Sequence, residues 1–149
     1  MRHVRHGDPR GVLKAALRQL NAGPTKVLAQ SAIIESAPIG PSRRRYANAA
    51  VIADSLLSPP AMLDALKSLE RGFGRRQGGK RWSARVLDLD IVLWTGGVWG
   101  EPELIIPHPA FRERDFVLRP AAEIAGTWRD PISGLTLRQL SFRLGRQGA

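Results

Sequence analysis

Two carboxylates two positions apart, in Asp88-Leu89-Asp90, have the types and spacing to do chemistry. Across residues 87–94 (LDLDIVLW), Leu87, Leu89, Ile91 and Leu93 alternate with Asp88, Asp90, Val92 and Trp94, a period of two that predicts a strand. On a strand, side chains two apart leave the same face with their Cα atoms ~7 Å apart, so both carboxylates can meet one cation. Mg²⁺ takes oxygen ligands and is usually held by one or two carboxylates together with phosphate oxygens. The plain alternative is that both aspartates face water on the polar side of an amphipathic strand. The neighbourhood argues for the first reading. Arg71, Arg75, Arg76, Lys80, Arg81 and Arg85 crowd the preceding stretch, with no acidic residue between Arg71 and Leu87. A guanidinium is planar, permanently charged and shaped to fork onto phosphate oxygens. Glycines at 72, 74, 78 and 79 predict a mobile basic loop over 72–86, able to fold down on a polyphosphate and exclude water.

The elements that must position these groups follow from periodicity and punctuation. Asp8-Pro9 predicts a helix start, with Val12, Leu13, Ala16, Leu17 and Leu20 on one stripe and an end near Asn21-Ala22-Gly23-Pro24. Residues 26–36 read as a strand running into the loop Ala37-Pro38-Ile39-Gly40-Pro41, which Arg43, Arg44 and Arg45 keep exposed. Residues 46–54 read as a second strand, covered on at least one side. A helix begins at Ser58-Pro59-Pro60, buries Met62, Leu63, Leu66 and Leu69, and stops at Gly72. After residues 87–94, Gly96-Gly97 predicts a hairpin turn. Residues 104–106 read as extended, 116–125 as helical and 135–144 as a closing helix after the turn at Asp130-Pro131. This mixture predicts an α+β fold with helices on an antiparallel sheet, in one domain spanning 1–149.

Composition bounds the partners. With 43% hydrophobic residues, the 149-residue chain can bury one continuous core. It has no cysteine, which removes disulfides, thiolate metal sites and cysteine nucleophiles, and no histidine spacing suits zinc. No apolar run approaches the ~20 residues needed to span a bilayer, so the expectation is a cytoplasmic protein without a membrane partner. The formal charge of +10 favours anions, whether nucleic acid, acidic lipid or a small polyphosphate, and does not by itself choose among them.

The stretch Arg81-Trp82-Ser83-Ala84-Arg85-Val86-Leu87-Asp88-Leu89-Asp90-Ile91 resembles the signature of the hydroxymethyl-dihydropterin pyrophosphokinases, with Ser83 where the family commonly has glycine. The resemblance continues through Ser36-Ala37-Pro38-Ile39-Gly40-Pro41, Tyr46-Ala47-Asn48-Ala49-Ala50-Val51, Pro107-His108-Pro109 and Arg112-Glu113-Arg114-Asp115-Phe116-Val117-Leu118, and covers the chain from about Gly7. Separated blocks in the right order are far more specific than one short motif. The resemblance implies a ferredoxin-like antiparallel sheet and Mg²⁺-dependent transfer of a diphosphate from ATP to 6-hydroxymethyl-7,8-dihydropterin in folate biosynthesis, releasing AMP. It implies that Asp88 and Asp90 hold two Mg²⁺ ions on the phosphates of ATP, the co-substrate. Arg75 and Arg85 would meet the triphosphate, Trp82 would help close the site, and Glu70, Ile91, His108 and Arg114 would line the nucleotide. Tyr46 and Phe116 would sandwich the pterin ring, with Asn48 and the segment holding Ser36, Pro38 and Ile39 as its hydrogen-bonding partners. Gln77 stands where the family has a basic residue.

The family opens on an apolar strand running into a Gly-Ser-Asn turn, whereas this chain offers Met1-Arg2-His3-Val4-Arg5-His6. The expectation is therefore that the N-terminal strand is missing, through a start placed downstream of the true one or a frameshift. Two other classes fit the same residues. One is a degenerate relative that binds nucleotide or pterin without turnover. The other is a basic nucleic-acid-binding α+β module, which the scarcity of aromatics among the arginines argues against, only Phe73 and Trp82 being interleaved. The expected partners are small molecules, with no nucleic acid, and the expected state is a monomer.

Overall fold

The computed structural model describes residues 9–36, 46–75 and 87–147. The expectation of a missing first strand falls on residues 1–8, which lie outside them. Helix α1, Pro9–Leu20, begins on its proline, a residue suited to the first helical position because its absent N–H has no helical partner there. Val12, Ala15 and Ala16 form its buried stripe. Its end is tied to the following strand by Asn21, whose Oδ1 accepts the Val27 N–H at 2.8 Å.

The strand read over 26–36 is cut into β1, Thr25–Gln30, and β2, Ile34–Ser36, and the one over 46–54 into β3, Tyr46–Asn48, and β4, Val51–Ser55. The pairs β1–β4 and β2–β3 are both antiparallel. Ser31 lies at the break. Its N–H donates to the Ala50 carbonyl and its Oγ accepts the Ala50 N–H, both at 2.9 Å, so a side-chain oxygen takes the place of a ladder carbonyl. Ser31 is buried, and a hydroxyl that bonds nearby backbone is the usual competitor of a regular ladder. The Glu123 carboxylate accepts the next amide, Ala32 N–H, at 3.1 Å.

Helix α2, Pro59–Arg75, starts where Ser58 Oγ accepts the Ala61 N–H at 3.3 Å. It does not stop at Gly72. Phe73, read as part of an exposed loop, is only 2% exposed and packs with Val12, Ala15, Ala16 and Leu87. Burying a phenylalanine is worth ~1.5–3 kcal/mol, more than the ~1 kcal/mol that a helical glycine costs, so the helix runs on for one more turn. The first four residues of the expected 72–86 loop are therefore helical, and 76–86 lie outside the described residues.

Residues 87–94 are a second correction, because no strand pairs with them among the described residues. Their alternation nevertheless persists over the first four positions, with Leu87 buried, Asp88 exposed, Leu89 half-buried and Asp90 exposed. A turn at Gly96-Gly97 does form, with Gly97 N–H to Trp94 O at 3.0 Å and Gly97 at φ 105°, the left-handed region that favours glycine. The paired hairpin comes later, between β5, Trp99–Glu101, and β6, Leu104–Ile106.

A 3₁₀ turn, Phe111–Glu113, leads into α3, Asp115–Ala125, and α4, Leu137–Gln147, closes the fold. Helix α4 is capped reciprocally: Thr136 Oγ1 accepts the Gln139 N–H and Gln139 Oε1 accepts the Thr136 N–H. Phe111, Leu118, Ala121, Ala125, Leu137 and Leu140 form the second core, and α3 also packs on β2, β3 and β4. Gly126 makes the α3–α4 corner possible, since a Cβ there would stand 2.9 Å from both Ala122 O and an Arg138 guanidinium nitrogen. Helices with small antiparallel sheets make this an α+β protein. Among the described residues, no helix is long and apolar enough to cross a membrane.

Candidate active site

The Asp88-Leu89-Asp90 segment is held from its apolar side. Leu87 is buried between α1 and α2, Leu89 packs against the same cluster, and Val92 and Leu93 pack on the core formed by α3 and α4. The segment thus bridges the two cores. Two of its backbone groups meet partners outside any ladder of the described residues: Leu89 N–H donates to Glu70 Oε2 at 2.6 Å, and Val92 O accepts from His108 N–H at 3.0 Å. With Leu87 and Leu89 turned into the core, Asp88 and Asp90 both face solvent.

Glu70 was expected at the nucleotide. Its carboxylate accepts the Leu89 N–H, between the two aspartates, so it braces the acidic pair from α2. His108 also comes to this pair, with Nε2 3.9 Å from Asp90 Oδ1. Its Nδ1 accepts the Ala110 N–H at 3.2 Å, which orients the ring and leaves Nε2 on the aspartate side. Ile91 follows in the same segment, half-buried. Among the described residues no group of three or more acidic, histidine or cysteine side chains could hold a metal by protein ligands alone. Two carboxylates completed by phosphate oxygens are a donor set that suits Mg²⁺.

Arg114 is the exposed residue before α3, and its carbonyl starts that helix by accepting from Val117 and Leu118 N–H at 3.0 and 2.9 Å. Phe116, in the first turn, is 42% exposed, which leaves part of its ring open to a flat partner. On the sheet, Ser36 pairs with Tyr46 and Asn48 with Ile34. The element carrying Phe116 therefore lies against the two strands that carry Ser36, Tyr46 and Asn48. The side chains of Ser36, Tyr46 and Arg75 lie outside the described residues, as do Pro38, Ile39, Trp82 and Arg85 entirely. Among the described residues, a cleft of about 410 Å³ beside Lys67, Arg71 and Glu103 and one of about 500 Å³ beside Trp99, Ile105 and Ile132 both leave out Asp88 and Asp90.

Sequence reasoning missed the groups that hold this region in place. Arg112 donates from Nε and an Nη to the two oxygens of Asp130, at 2.5 and 2.8 Å. Asp130 is 0% exposed and also accepts from Ser133 Oγ at 2.7 Å and Ile132 N–H at 3.0 Å. The guanidinium hydrogen bonds hold the Asp130 carboxyl well below the usual carboxylate range, and the same pairing raises Arg112. Asp130-Pro131 is readable as a turn, but no local signal pairs it with a residue 18 positions earlier.

The profile of the 7,8-dihydro-6-hydroxymethylpterin-pyrophosphokinase family matches residues 5–126. A 2-amino-4-hydroxy-6-hydroxymethyldihydropteridine pyrophosphokinase of Synechocystis is 43% identical over 105 residues, 70% of this chain and 53% of that protein. The chain thus spans about half the length of that relative. Proteins of the same description from Methylorubrum extorquens and Pseudomonas aeruginosa are 36% identical over 144 residues (95% of this chain, 89% of that protein) and 37% over 126 (83% and 77%). The acidic pair, its Glu70 brace and the adjoining His108–Phe116 stretch all fall inside the matched region, and the chain belongs to the 7,8-dihydro-6-hydroxymethylpterin-pyrophosphokinase family.

Proposed function

We propose that this chain transfers the diphosphate of ATP to the hydroxymethyl oxygen of 6-hydroxymethyl-7,8-dihydropterin, releasing AMP. The observation that carries the reading is the pair of solvent-facing carboxylates, Asp88 and Asp90, braced from behind by Glu70 and flanked by His108, in a member of this family. Mg²⁺, once held by Asp88 and Asp90, supplies charge neutralisation on the phosphate oxygens.

The residues of the chain do the rest by placement. Phe116 presents an exposed ring for the pterin, with Tyr46 proposed as its counterpart and Asn48 together with backbone groups of Ser36, Pro38 and Ile39 as polar-edge partners. Arg114 and His108 are proposed against the nucleotide, and Arg75, Arg85 and Trp82 against the triphosphate. The hydroxymethyl oxygen attacks the β-phosphorus as the bond to the α-phosphate oxygen breaks. No covalent intermediate on the protein is required, and alignment with electrostatic stabilisation accounts for the acceleration. The basic nucleic-acid module is not favoured, since family membership accounts for the arginines without it.

The test is AMP release from ATP and 6-hydroxymethyl-7,8-dihydropterin by the full chain, with Asp88→Asn and Asp90→Asn alongside. Each substitution is expected to lower turnover by about a hundredfold or more, as loss of a preorganised charge at the transferring group does. Near-normal AMP production in both variants sinks the assignment of the acidic pair. Binding of a non-hydrolysable ATP analogue with no AMP release by the unaltered chain sinks the activity itself.

A further inference from the structure

The Arg112–Asp130 pair takes no part in the proposed transfer, yet Arg112 lies between two of the proposed site residues, His108 and Arg114. Arg112 belongs to the 3₁₀ turn between His108 and Arg114, and α3 begins at Asp115. This junction is locally weak. Neither the turn nor α3 has a side-chain cap, and the turn closes on Arg114 N–H to Phe111 O at 3.3 Å. Two longer-range contacts hold it: fully buried Phe111 packs in the α3–α4 core, and Arg112 makes a two-point fork on a carboxylate that is itself held by Ser133 and Ile132. Beneath the fork, the guanidinium carbon stands 4.7 Å from the ring centroid of fully buried Phe111. At the other end of the stretch, His108 N–H is fixed to Val92 O, two residues past Asp90. Residues 108–112 are thus pinned at one end, through His108, to the acidic segment and at the other, through Arg112, to the α3–α4 turn, directly before Arg114 and Phe116.

Stability alone is a poor reason for such a pair. Replacing a buried ion pair by apolar residues of similar volume is often neutral or stabilising, so what the ions add is direction. A bidentate Arg–carboxylate contact fixes angle as well as distance. The geometry points to Arg112 and Asp130 as positioning residues that set where Arg114 and Phe116 stand relative to Asp88 and Asp90. This rests on the proposed function.

The experiment uses the full chain carrying Arg112→Leu with Asp130→Leu, together with Arg112→Lys, which keeps the charge but loses the fork. The double variant is expected to melt cooperatively near the temperature of the unaltered chain. Its KM for ATP and for 6-hydroxymethyl-7,8-dihydropterin should rise about tenfold, with kcat changed less, because a small misplacement of binding groups is costly. Arg112→Lys should fall between. Amide exchange at Arg114, Val117 and Leu118 should accelerate in both variants, while the β1–β4 ladder amides keep their rates. A folded double variant with both KM values within about twofold and unchanged exchange overturns the inference and leaves the pair a packing feature. If the double variant does not fold, Arg112→Lys decides by the same readings. If the unaltered chain releases no AMP, the proposed function fails, and the exchange rates still decide whether this pair fixes the junction.

Discussion

Asp130 and the Asp88–Asp90 pair are the same side chain in opposite circumstances. Asp130 is fully buried, with an arginine fork, a hydroxyl and a backbone amide on its oxygens. Asp88 and Asp90 look outward, and what is held tightly is the backbone between them, by Glu70 on the Leu89 amide. A carboxylate whose lone pairs are filled by the protein can orient neighbours but has little left for a cation. Asp88 and Asp90, on a segment fixed through its backbone, are exposed at the surface, where a phosphate-bound ion can approach. In this fold the buried acid serves architecture, and the proposed function gives the braced acids the chemistry.

The contrast breaks most visibly at Asp130. Asp130→Ala leaves Arg112 charged and partly buried without its partner, and should cost about 3–5 kcal/mol, read by urea unfolding. A loss under about 1 kcal/mol would mean that the pair carries no structural weight. The same group sets an acid limit. Its folded-state pKa lies below the unfolded value, so its stabilisation is complete above about pH 4 and is lost as the pH falls below that, towards the folded-state value. Unfolding free energy measured from pH 5 down to pH 2 should decline more steeply in the unaltered chain than in Asp130→Asn.

Smaller effects sharpen the other side. Glu70→Ala strands the part-buried Leu89 amide, at an expected ~1–2 kcal/mol, and should lower AMP release. Unaltered turnover there would place Glu70 outside the brace. Smallest of all, Asp88→Asn and Asp90→Asn should each shift stability by less than ~0.5 kcal/mol, as exposed substitutions do, while abolishing turnover. A large loss of stability in either would make the acidic pair structural like Asp130.

What could be read from the chain, and what could not, divides along the same line. The α1 stripe, the β6 segment, both closing helices and the outward parity of Asp88 and Asp90 follow from side-chain periods of 3.6 and 2, which the backbone imposes within a few residues. The α+β class follows from their mixture. Residues 87–94 carried the strongest strand pattern, yet a ladder also needs a neighbour, and among the described residues Glu70 and His108 take up backbone groups there instead. Ser31 broke two expected strands through one hydroxyl that is unremarkable in sequence.

The sequence alone determined residue types, local periods and the order of blocks that mark the family, because each depends on neighbours along the chain. Only the tertiary structure decided that α2 continues past Gly72, since Phe73 finds its burial against α1 and Leu87. It also turned Glu70 towards the Leu89 amide and joined Arg112 to Asp130 across 18 positions. Contacts of that kind depend on which surfaces meet after packing, and no local pattern of charge or hydropathy encodes the meeting.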